Sequence, residues 1–377
     1  MKILAIETSC DETAIAILEA EGGFENPQFK ILGNNLFSQI EIHKEYGGVY
    51  PTLAKREHAK NLVPILEKTL KEARMLDSGE VEVAEKIKGV LKRDSKLLKR
   101  FVESIPNIKK PDIDYIAVTQ GPGLEPALWM GINFAKALSL TWKIPLIPVN
   151  HMEGHMFSPL SDPQNKVVFP SLSLLISGGH TELVLMKDWF KYEIVGETQD
   201  DAVGEAFDKV ARMMSLPYPG GPEISKIAKD KRKDGFEKKF NLPKPMFDSP
   251  NCHFSFSGLK TAVLYRVRDL DLNEETKAQV AREFEDTVVD ILIHKTKKAL
   301  GDVKTLIIGG GVIANSEIRE AFKKLAEEEN INLLIPEISL TTDNAVMIGI
   351  AGYFRALENP EGVEVDKISA NGNLRLA

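Results

Sequence analysis

Ile3-Leu4-Ala5-Ile6-Glu7-Thr8-Ser9-Cys10-Asp11-Glu12-Thr13-Ala14-Ile15-Ala16-Ile17-Leu18 is the stretch whose reading decides the fold. A compact apolar run ends in a polar cluster and a second apolar run follows at once. Such a segment reads as a β-hairpin holding hydroxyls and carboxylates at its tip. The pattern returns at 171–176, which breaks into Ser177-Gly178-Gly179-His180-Thr181 and resumes over 182–186. Strand, polar turn and strand, repeated roughly half a chain apart, point to a duplicated domain.

Working outward, 115–119 is a buried-strand candidate followed by Gln120-Gly121-Pro122-Gly123, then a helical stretch over 127–140 and a strand over 144–149. Much later, 304–308 runs into Gly309-Gly310-Gly311-Val312 and a helix over 315–328. Strands alternating with helices indicate an α/β architecture with ligands at the strand ends.

The chain has 377 residues, enough for two ordinary domains. With 43% hydrophobic and 27% charged residues it has the composition of a globular protein rather than a disordered one. A net charge of −7 gives no overall attraction for nucleic acid, although a local basic stripe is compatible with an acidic total. The two cysteines, Cys10 and Cys252, make neither a disulfide framework nor a Cys-based zinc motif, which fits a reducing cytosol. No signal-peptide stretch opens the sequence and no run is long enough to span a bilayer, so a cytoplasmic location is expected.

Residues 78–110 differ in kind. Val83, Ile87, Val90, Leu91, Leu97, Leu98 and Phe101 recur at helical spacing, with Lys and Arg between them. This is a basic amphipathic helix or helix pair, read either as a solvated face or as an RNA-facing or partner-facing appendage. A second basic stretch from Lys229 to Lys239 carries the same two readings.

His151-Met152-Glu153-Gly154-His155 places two imidazoles four residues apart. On a helix they share one face, close enough to bind one ion. The spacing is that of the zincin motif, but Glu153 lies off the shared face, so the protease chemistry is not implied. Asp343, in Thr341-Thr342-Asp343-Asn344-Ala345, is the best candidate for a third ligand; a helix N-cap is its other reading.

Ser177-Gly178-Gly179 offers unobstructed backbone N–H groups and a hydroxyl, as a phosphate cradle requires. Gly309-Gly310-Gly311 before a helix aims N–H groups at an anion, and Tyr218-Pro219-Gly220-Gly221-Pro222 is a rigid turn against which a ring could lie. Neither glycine turn before a helix is a Walker loop, because no Gly-Lys-Ser/Thr follows. Asp201, Glu205 and Asp208 fall on one side of a helix starting near Asp200; a ribose hydroxyl is a natural partner for Asp208, and an exposed acidic face is the plain alternative.

Taken in order, residues 6–13, His151-x-Glu-Gly-His155, 177–181, 201–209, 218–222, 254–260, 309–315 and 342–345 closely resemble the TsaD family, the catalytic subunit of tRNA threonylcarbamoyladenosine synthesis. The resemblance runs from Lys2 to about Phe354 and lies nearer the bacterial branch. It implies a duplicated actin-like/Hsp70/sugar-kinase fold of two lobes with a central cleft. The lobes would be 1–148 completed by 344–377, with the basic insertion at about 78–110, and 149–343. It implies transfer of a threonylcarbamoyl group from threonylcarbamoyl-AMP to N6 of adenosine 37 in tRNAs reading codons that begin with A.

Carried onto this sequence, the implied metal ligands are His151, His155 and Asp343, for one divalent ion, iron ahead of zinc. The implied adenylate contacts are Leu175, Ile176, Ser177, Gly178, Gly179, Asp208, Gly221 and Asn315, a pocket that ATP or ADP could also occupy. Asp11 and Glu12 are the candidates for a general base toward the poorly nucleophilic adenine amine. The implied partners are tRNA, a TsaB-like paralogue and a TsaE-like ATPase, with a homodimer as the stand-alone form. Two departures stand out: Asn150 replaces a histidine common in the family, and the basic 78–110 segment is long. An actin-like ATPase or small-molecule kinase is the main alternative and leaves His151/His155 unexplained; a non-catalytic scaffold holding tRNA or partner subunits is the other.

Overall fold

The structure is a computed structural model that describes residues 1–82, 85–232 and 239–376. It divides into two compact units, Met1–Lys166 with Asp343–Leu376, and Val167–Thr342.

In the first unit, β1 (Lys2–Glu7), β2 (Glu12–Glu21), β3 (Gln28–Ser38), β4 (Tyr115–Gly121) and β5 (Leu146–Asn150) form one sheet in the order β3-β2-β1-β4-β5. The β1–β2 and β2–β3 pairs are antiparallel, whereas β1–β4 and β4–β5 are parallel. Ile3, Leu4, Ala5 and Ile6 are all fully buried, which is why β1 is a continuous apolar run: it is covered on both faces. Its helices are α1 (Ile40–His43), α2 (Pro51–Glu72), α3 (Glu85–Leu91), α4 (Ser95–Ser104), α5 (Glu125–Trp142) and α6 (His151–Phe157). Leu4, Ile6, Ile15, Ile17, Ile116 and Val118 turn toward α2 and α5 to make the main core.

The second unit repeats this plan. β6 (Ser171–Ile176), β7 (Thr181–Asp188), β8 (Lys191–Glu197), β9 (Thr305–Gly309) and β10 (Asn332–Leu334) run in the order β10-β9-β6-β7-β8. Again the hairpin pairs β6–β7 and β7–β8 are antiparallel, and β6–β9 and β9–β10 are parallel. The helices are α7 (Val203–Met213), α8 (Gly220–Lys231), α9 (Ser257–Val267), α10 (Glu274–Ala299) and α11 (Ser316–Glu329). The duplication expected from the two hairpins is therefore present, in the α/β form that the resemblance implied.

A last helix, α12 (Ala345–Glu358), returns to the first unit and covers the sheet face opposite α2 and α5. Its glycines permit the approach: a Cβ at Gly349 would lie 2.4 Å from Leu18 Cδ1, and one at Gly352 2.5 Å from Ala117 Cβ. Because α6 packs on α12, the first unit runs to Lys166 and resumes at Asp343 rather than changing at 148 and 344. A Cβ on Gly154 would sit 3.0 Å from both Ile348 Cδ1 and Met347 Cγ, so the glycine lets α6 lie close on α12.

Other boundaries moved for local reasons. β5 begins at Leu146, after Pro145, and tolerates Pro148 because it is an edge strand. α7 begins at Val203, so Asp201 precedes the helix rather than sharing a face with Glu205 and Asp208. Asp201 instead binds Lys209 at 2.7 Å and Lys260 at 2.5 Å, and Glu205 also meets Lys209, which removes the expected like-charge repulsion.

The 78–110 segment forms the helix pair α3 and α4, with Ile87, Leu91, Leu97 and Phe101 buried in the core of the first unit. Val83 lies outside the described residues, as do Lys233 and Lys238 of the second basic stretch. Within that stretch Lys231 pairs with Glu275, and Arg232 with Glu285, Asp286 and Glu317, so these two cations are bound internally. No helix among the described residues is long and apolar enough to cross a membrane.

Candidate functional site

In the first unit the strand ends bring a histidine pair to a carboxylate. β5 ends at Asn150, whose side chain accepts from Met152 N at 2.8 Å and so caps α6. Asn150, the departure noted in the sequence, is thus used to start the helix. One turn of α6 separates His151 from His155, and their rings sit edge to face with centroids 4.7 Å apart. Asp343 Oδ1 lies 3.4 Å from His151 Nε2 and 3.2 Å from His155 Nε2. Asp343 does not cap α12; Asn344 does, accepting from Met347 N at 2.9 Å. The neighbouring cap leaves the Asp343 carboxylate to the histidines.

Ligand atoms from His151, His155 and Asp343 all fall within 4.8 Å of one another, the one such His/Cys/Asp/Glu group among the described residues. Both His155 nitrogens are buried without a hydrogen bond, although Nε2 is 3.2 Å from Asp343. That approach is close but poorly directed, and a buried imidazole without a hydrogen bond calls for a partner such as an ion. Two imidazoles and one carboxylate are donors that zinc or ferrous iron accepts, so the residues fit a divalent ion.

Behind His151 stands Glu7, the last residue of β1. Its Oε2 accepts from His151 Nδ1 at 3.1 Å and from Thr119 Oγ1 at 2.6 Å, and its Oε1 accepts from Ser9 N. Holding Nδ1–H on a carboxylate turns the Nε2 lone pair outward, the arrangement that orients and strengthens a histidine ligand. Burial opposes charge on His151, but Asp343 and Glu7 outweigh it and hold the imidazole well above its ordinary range. Burial likewise opposes the Asp343 carboxylate, and the two histidines outweigh it in turn, keeping it well below. For His155 burial wins, and its affinity for a proton is lowered.

Glu153 plays no part in this cluster. It is fully buried and pairs with Arg355 through both carboxylate oxygens, one of them at 3.0 Å, and so fastens α6 to α12. Asp11 is nearly buried, and Glu12 accepts from Ser38 Oγ at 3.3 Å. Burial pushes the Glu12 carboxyl well up, and Asp11 and Asp343 push it the same way.

The turn carrying these acids is held from α2. His58 Nε2 lies 3.0 Å from the Cys10 carbonyl and Nδ1 lies 2.8 Å from Thr13 Oγ1. A carbonyl only accepts, so Nε2 donates to it and Nδ1 accepts from the hydroxyl, which defines a neutral tautomer. Burial lowers the pKa of His58 to about 4, against a smaller opposing pull from the Cys10 carbonyl.

The glycine turns belong to the second unit. Leu175 and Ile176 are buried in β6. Ser177 Oγ accepts from Gly179 N at 3.3 Å and His180 N at 3.1 Å, and Ser177 N donates to the His180 carbonyl at 2.9 Å. The turn thus uses N–H groups that were expected to face an anion. What it presents is bare surface, because a Cβ on Gly178 or Gly179 would meet nothing within 4 Å. Neither backbone strain nor packing explains glycine at these two positions; the close approach of a ligand would.

Gly310 is the opposite case. Its φ is +97° and a Cβ would lie 2.3 Å from the Ile176 carbonyl oxygen, so the turn after β9 presses onto the end of β6. Asp208 Oδ1 accepts from Gly220 N at 2.7 Å at the start of α8, and burial pushes its carboxyl up. Gly221 has its nearest neighbour, Phe207 Cβ, 3.9 Å from where a Cβ would be. Asn315 caps α11 through Glu317 N and Ile318 N, while its amide donates to Ser225 Oγ at 2.7 Å and Glu285 Oε1 at 2.6 Å. Every polar atom of the Asn315 side chain is thus engaged within the unit.

Thr119, His58 and Arg355 lie outside the motifs read in the sequence, and Glu7 and Asn344 fall inside two of them without having been given a role. Glu7 left a weaker signal: a lone carboxylate closing an otherwise buried apolar strand must find partners inside.

The family model described as "TsaD: tRNA N6-adenosine threonylcarbamoyltransferase" matches residues 30–79 and 93–350. Similar proteins include the tRNA N6-adenosine threonylcarbamoyltransferases of Thermosipho africanus, 46% identical over 94% of each chain, and of Persephonella marina, 42% identical over 100% of this chain and 95% of that one. Among solved structures, full-length HypF in a phosphate- and nucleotide-bound form superposes with a TM-score of 0.53 at 11% identity. It covers 96% of this chain and 47% of its own, a likeness of fold alone.

Proposed function

We propose, from the premise that this chain belongs to the TsaD family of tRNA N6-adenosine threonylcarbamoyltransferases, that it transfers a threonylcarbamoyl group from threonylcarbamoyl-AMP to N6 of adenosine 37 in tRNAs reading codons that begin with A. The observation that carries the reading is the buried His151/His155/Asp343 triad, with Glu7 behind it, in a chain of this family. A kinase or ATPase of the same fold gives that triad no task.

In this reading the second unit takes the adenylate. Gly178, Gly179 and Gly221 let it lie against backbone, Leu175 and Ile176 form the strand end beneath it, and Asp208 meets a ribose hydroxyl. Asn315 acts by fixing the start of α11 rather than by offering a free amide. In the first unit His151, His155 and Asp343 hold one divalent ion, iron or zinc, which when bound supplies Lewis-acid polarisation of a carbamoyl oxygen and stabilises charge on it. Glu7 keeps His151 in the tautomer that leaves Nε2 free, and Thr119 and Ser9 keep Glu7 in place.

The reaction forms a bond from N6 to the carbamoyl carbon, breaks that carbon's bond to the phosphate oxygen, and releases AMP and the N6 proton. Asp11 and Glu12, the two acids at the first turn, are the candidates to accept that proton. The partners in this reading are tRNA, a TsaB-like paralogue and a TsaE-like ATPase, or a second copy of the chain, in the cytoplasm.

The test is nucleoside analysis of unmodified tRNA incubated with purified protein and threonylcarbamoyl-AMP. Threonylcarbamoyladenosine should appear, and His155→Ala should lose metal content and transfer together. Full transfer by metal-free protein would remove the ion from the reading; phosphorylation of a small molecule with no change in tRNA would replace the reading with the kinase.

A further inference from the structure

A cavity of about 320 Å³ opens on the first unit where α3 and the turn after it meet the first turns of α2 and α5. It is in the size range of small-ligand sites. Lys55, Arg93 and Asn133 line it with Trp129, and Gly89 and Val90 close one side. Neither Lys55 nor Arg93 pairs with an acid among the described residues, and Asp94, the acid next in sequence to Arg93, is spent capping α4 through Leu97 N at 3.1 Å. Two cations without an acidic partner on one cavity, in a chain of net charge −7, make a local positive site that suits an anion. Trp129 is half-buried and adds a flat apolar wall.

The place matters as much as the lining. Lys55 sits one turn before His58, which donates to the Cys10 carbonyl. Trp129 belongs to the helix that follows Gly123, where a Cβ would lie 2.6 Å from the Ser9 carbonyl oxygen. The cavity is thus built on α2 and α5, the two helices that hold the residue 8–13 turn through His58 and Ala127. Gly89 and Val90 also fall inside residues 80–92, the internal stretch the family model leaves unmatched, and Arg93 is the first residue after it. The pocket is thus a feature that this chain's inserted helix completes.

We infer that the cavity is a nucleotide subsite for the tRNA, with a backbone phosphate between Lys55 and Arg93 and an adjoining base against Trp129. Paired cations beside an aromatic face suit single-stranded RNA, where phosphate neutralisation supplies affinity and stacking holds the base. Asn133 offers a donor and an acceptor to the edge of that base. The inference rests on the tRNA-modifying reading above and extends it to a part of the tRNA outside the reacting group.

The experiment is equilibrium binding of the full chain to an unmodified tRNA transcript across a salt series, alongside modification of that tRNA by the wild type. Lys55→Gln and Arg93→Gln should each weaken binding several-fold near 0.1 M salt and flatten the log–log salt slope by roughly 0.9 for each phosphate left without its cation. Trp129→Leu should weaken binding about five-fold or more with the slope unchanged. Lys92→Gln and Lys96→Gln, exposed and outside the cavity, should change binding by less than about two-fold. Metal content should stay at the wild-type level throughout.

Equal losses from Lys92 and Lys96 would overturn the subsite in favour of a diffuse basic face. Unchanged tRNA affinity in the cavity variants, with weakened binding of a partner subunit, would make the cavity a protein-binding surface instead. If the wild type neither binds nor modifies tRNA, the functional reading itself falls, an outcome distinct from failure of the variants alone.

Discussion

Residues 8–11 after β1 and 177–180 after β6 occupy the same place in two copies of one sheet, and they are built from opposite materials. In each half the turn after the parallel neighbour strand presses a glycine onto a carbonyl at the hairpin's end: Gly123 onto Ser9, Gly310 onto Ile176. The frame is shared because strand order and direction are shared. The contents diverge. The first turn is acidic and is held by titratable groups, His58 from α2 and Glu7 from β1. The second is bare glycine, folded by the Ser177 hydroxyl and linked to α7 through Thr181, whose Oγ1 accepts from Val203 N at 2.9 Å. Duplication thus supplied two equivalent strand ends, and side-chain chemistry made one acidic and left the other bare backbone.

The comparison can be broken most severely at Gly310. Gly310→Ala forces a Cβ to 2.3 Å from a backbone oxygen at a φ of +97°, so the second unit should lose about 4 kcal/mol or more, read by urea denaturation. Near-wild-type stability would mean that the two turns do not press together.

The next effect separates the halves by pH. The folded-state pKa of His58 is about 4, lowered from 6.5 chiefly by burial. A depressed histidine leaves stability intact above 6.5 and loses it as pH falls toward 4, because the unfolded chain takes up the proton first. The loss should be about 3 kcal/mol when complete, and His58→Gln should flatten that limb of the stability–pH curve. The turn of the second unit is held instead by the Ser177 hydroxyl and by backbone groups.

A smaller effect is expected at Glu7. Glu7→Gln keeps the size of the side chain but removes the charge behind His151, so metal affinity should fall about 10- to 100-fold in competition titrations with a chelator. Unchanged affinity would show that Glu7 serves the fold alone. The smallest stability effect belongs to Gly179→Ala, where a methyl meets open space: about 0.5 kcal/mol or less by denaturation. Its adenylate affinity should nevertheless drop, measured by isothermal titration with a non-hydrolysable analogue; wild-type affinity would remove the ligand from that turn.

The sequence by itself determined the pieces that depend on neighbours along the chain. Alternating and continuous apolar runs marked the two hairpins and hence the duplication, and four-residue spacing put His151 and His155 on one helix face. The 78–110 periodicity likewise announced a helix pair. Elements without such punctuation, such as β3, β8 and the long α10, left no motif to read.

Only the tertiary structure decided which candidates meet and which are already spent. Glu7 reaches His151 across 144 positions of sequence, and Glu153 reaches Arg355 across 202, distances over which no local period carries information. Asn344 took the cap and released Asp343, whereas Asn315 was taken by its own cap and neighbours. Gly310 proved to be packed, and Gly178 and Gly179 open. Each of these is a question of which groups are brought together when apolar surface is buried, and burial is settled by the whole fold rather than by any stretch of it.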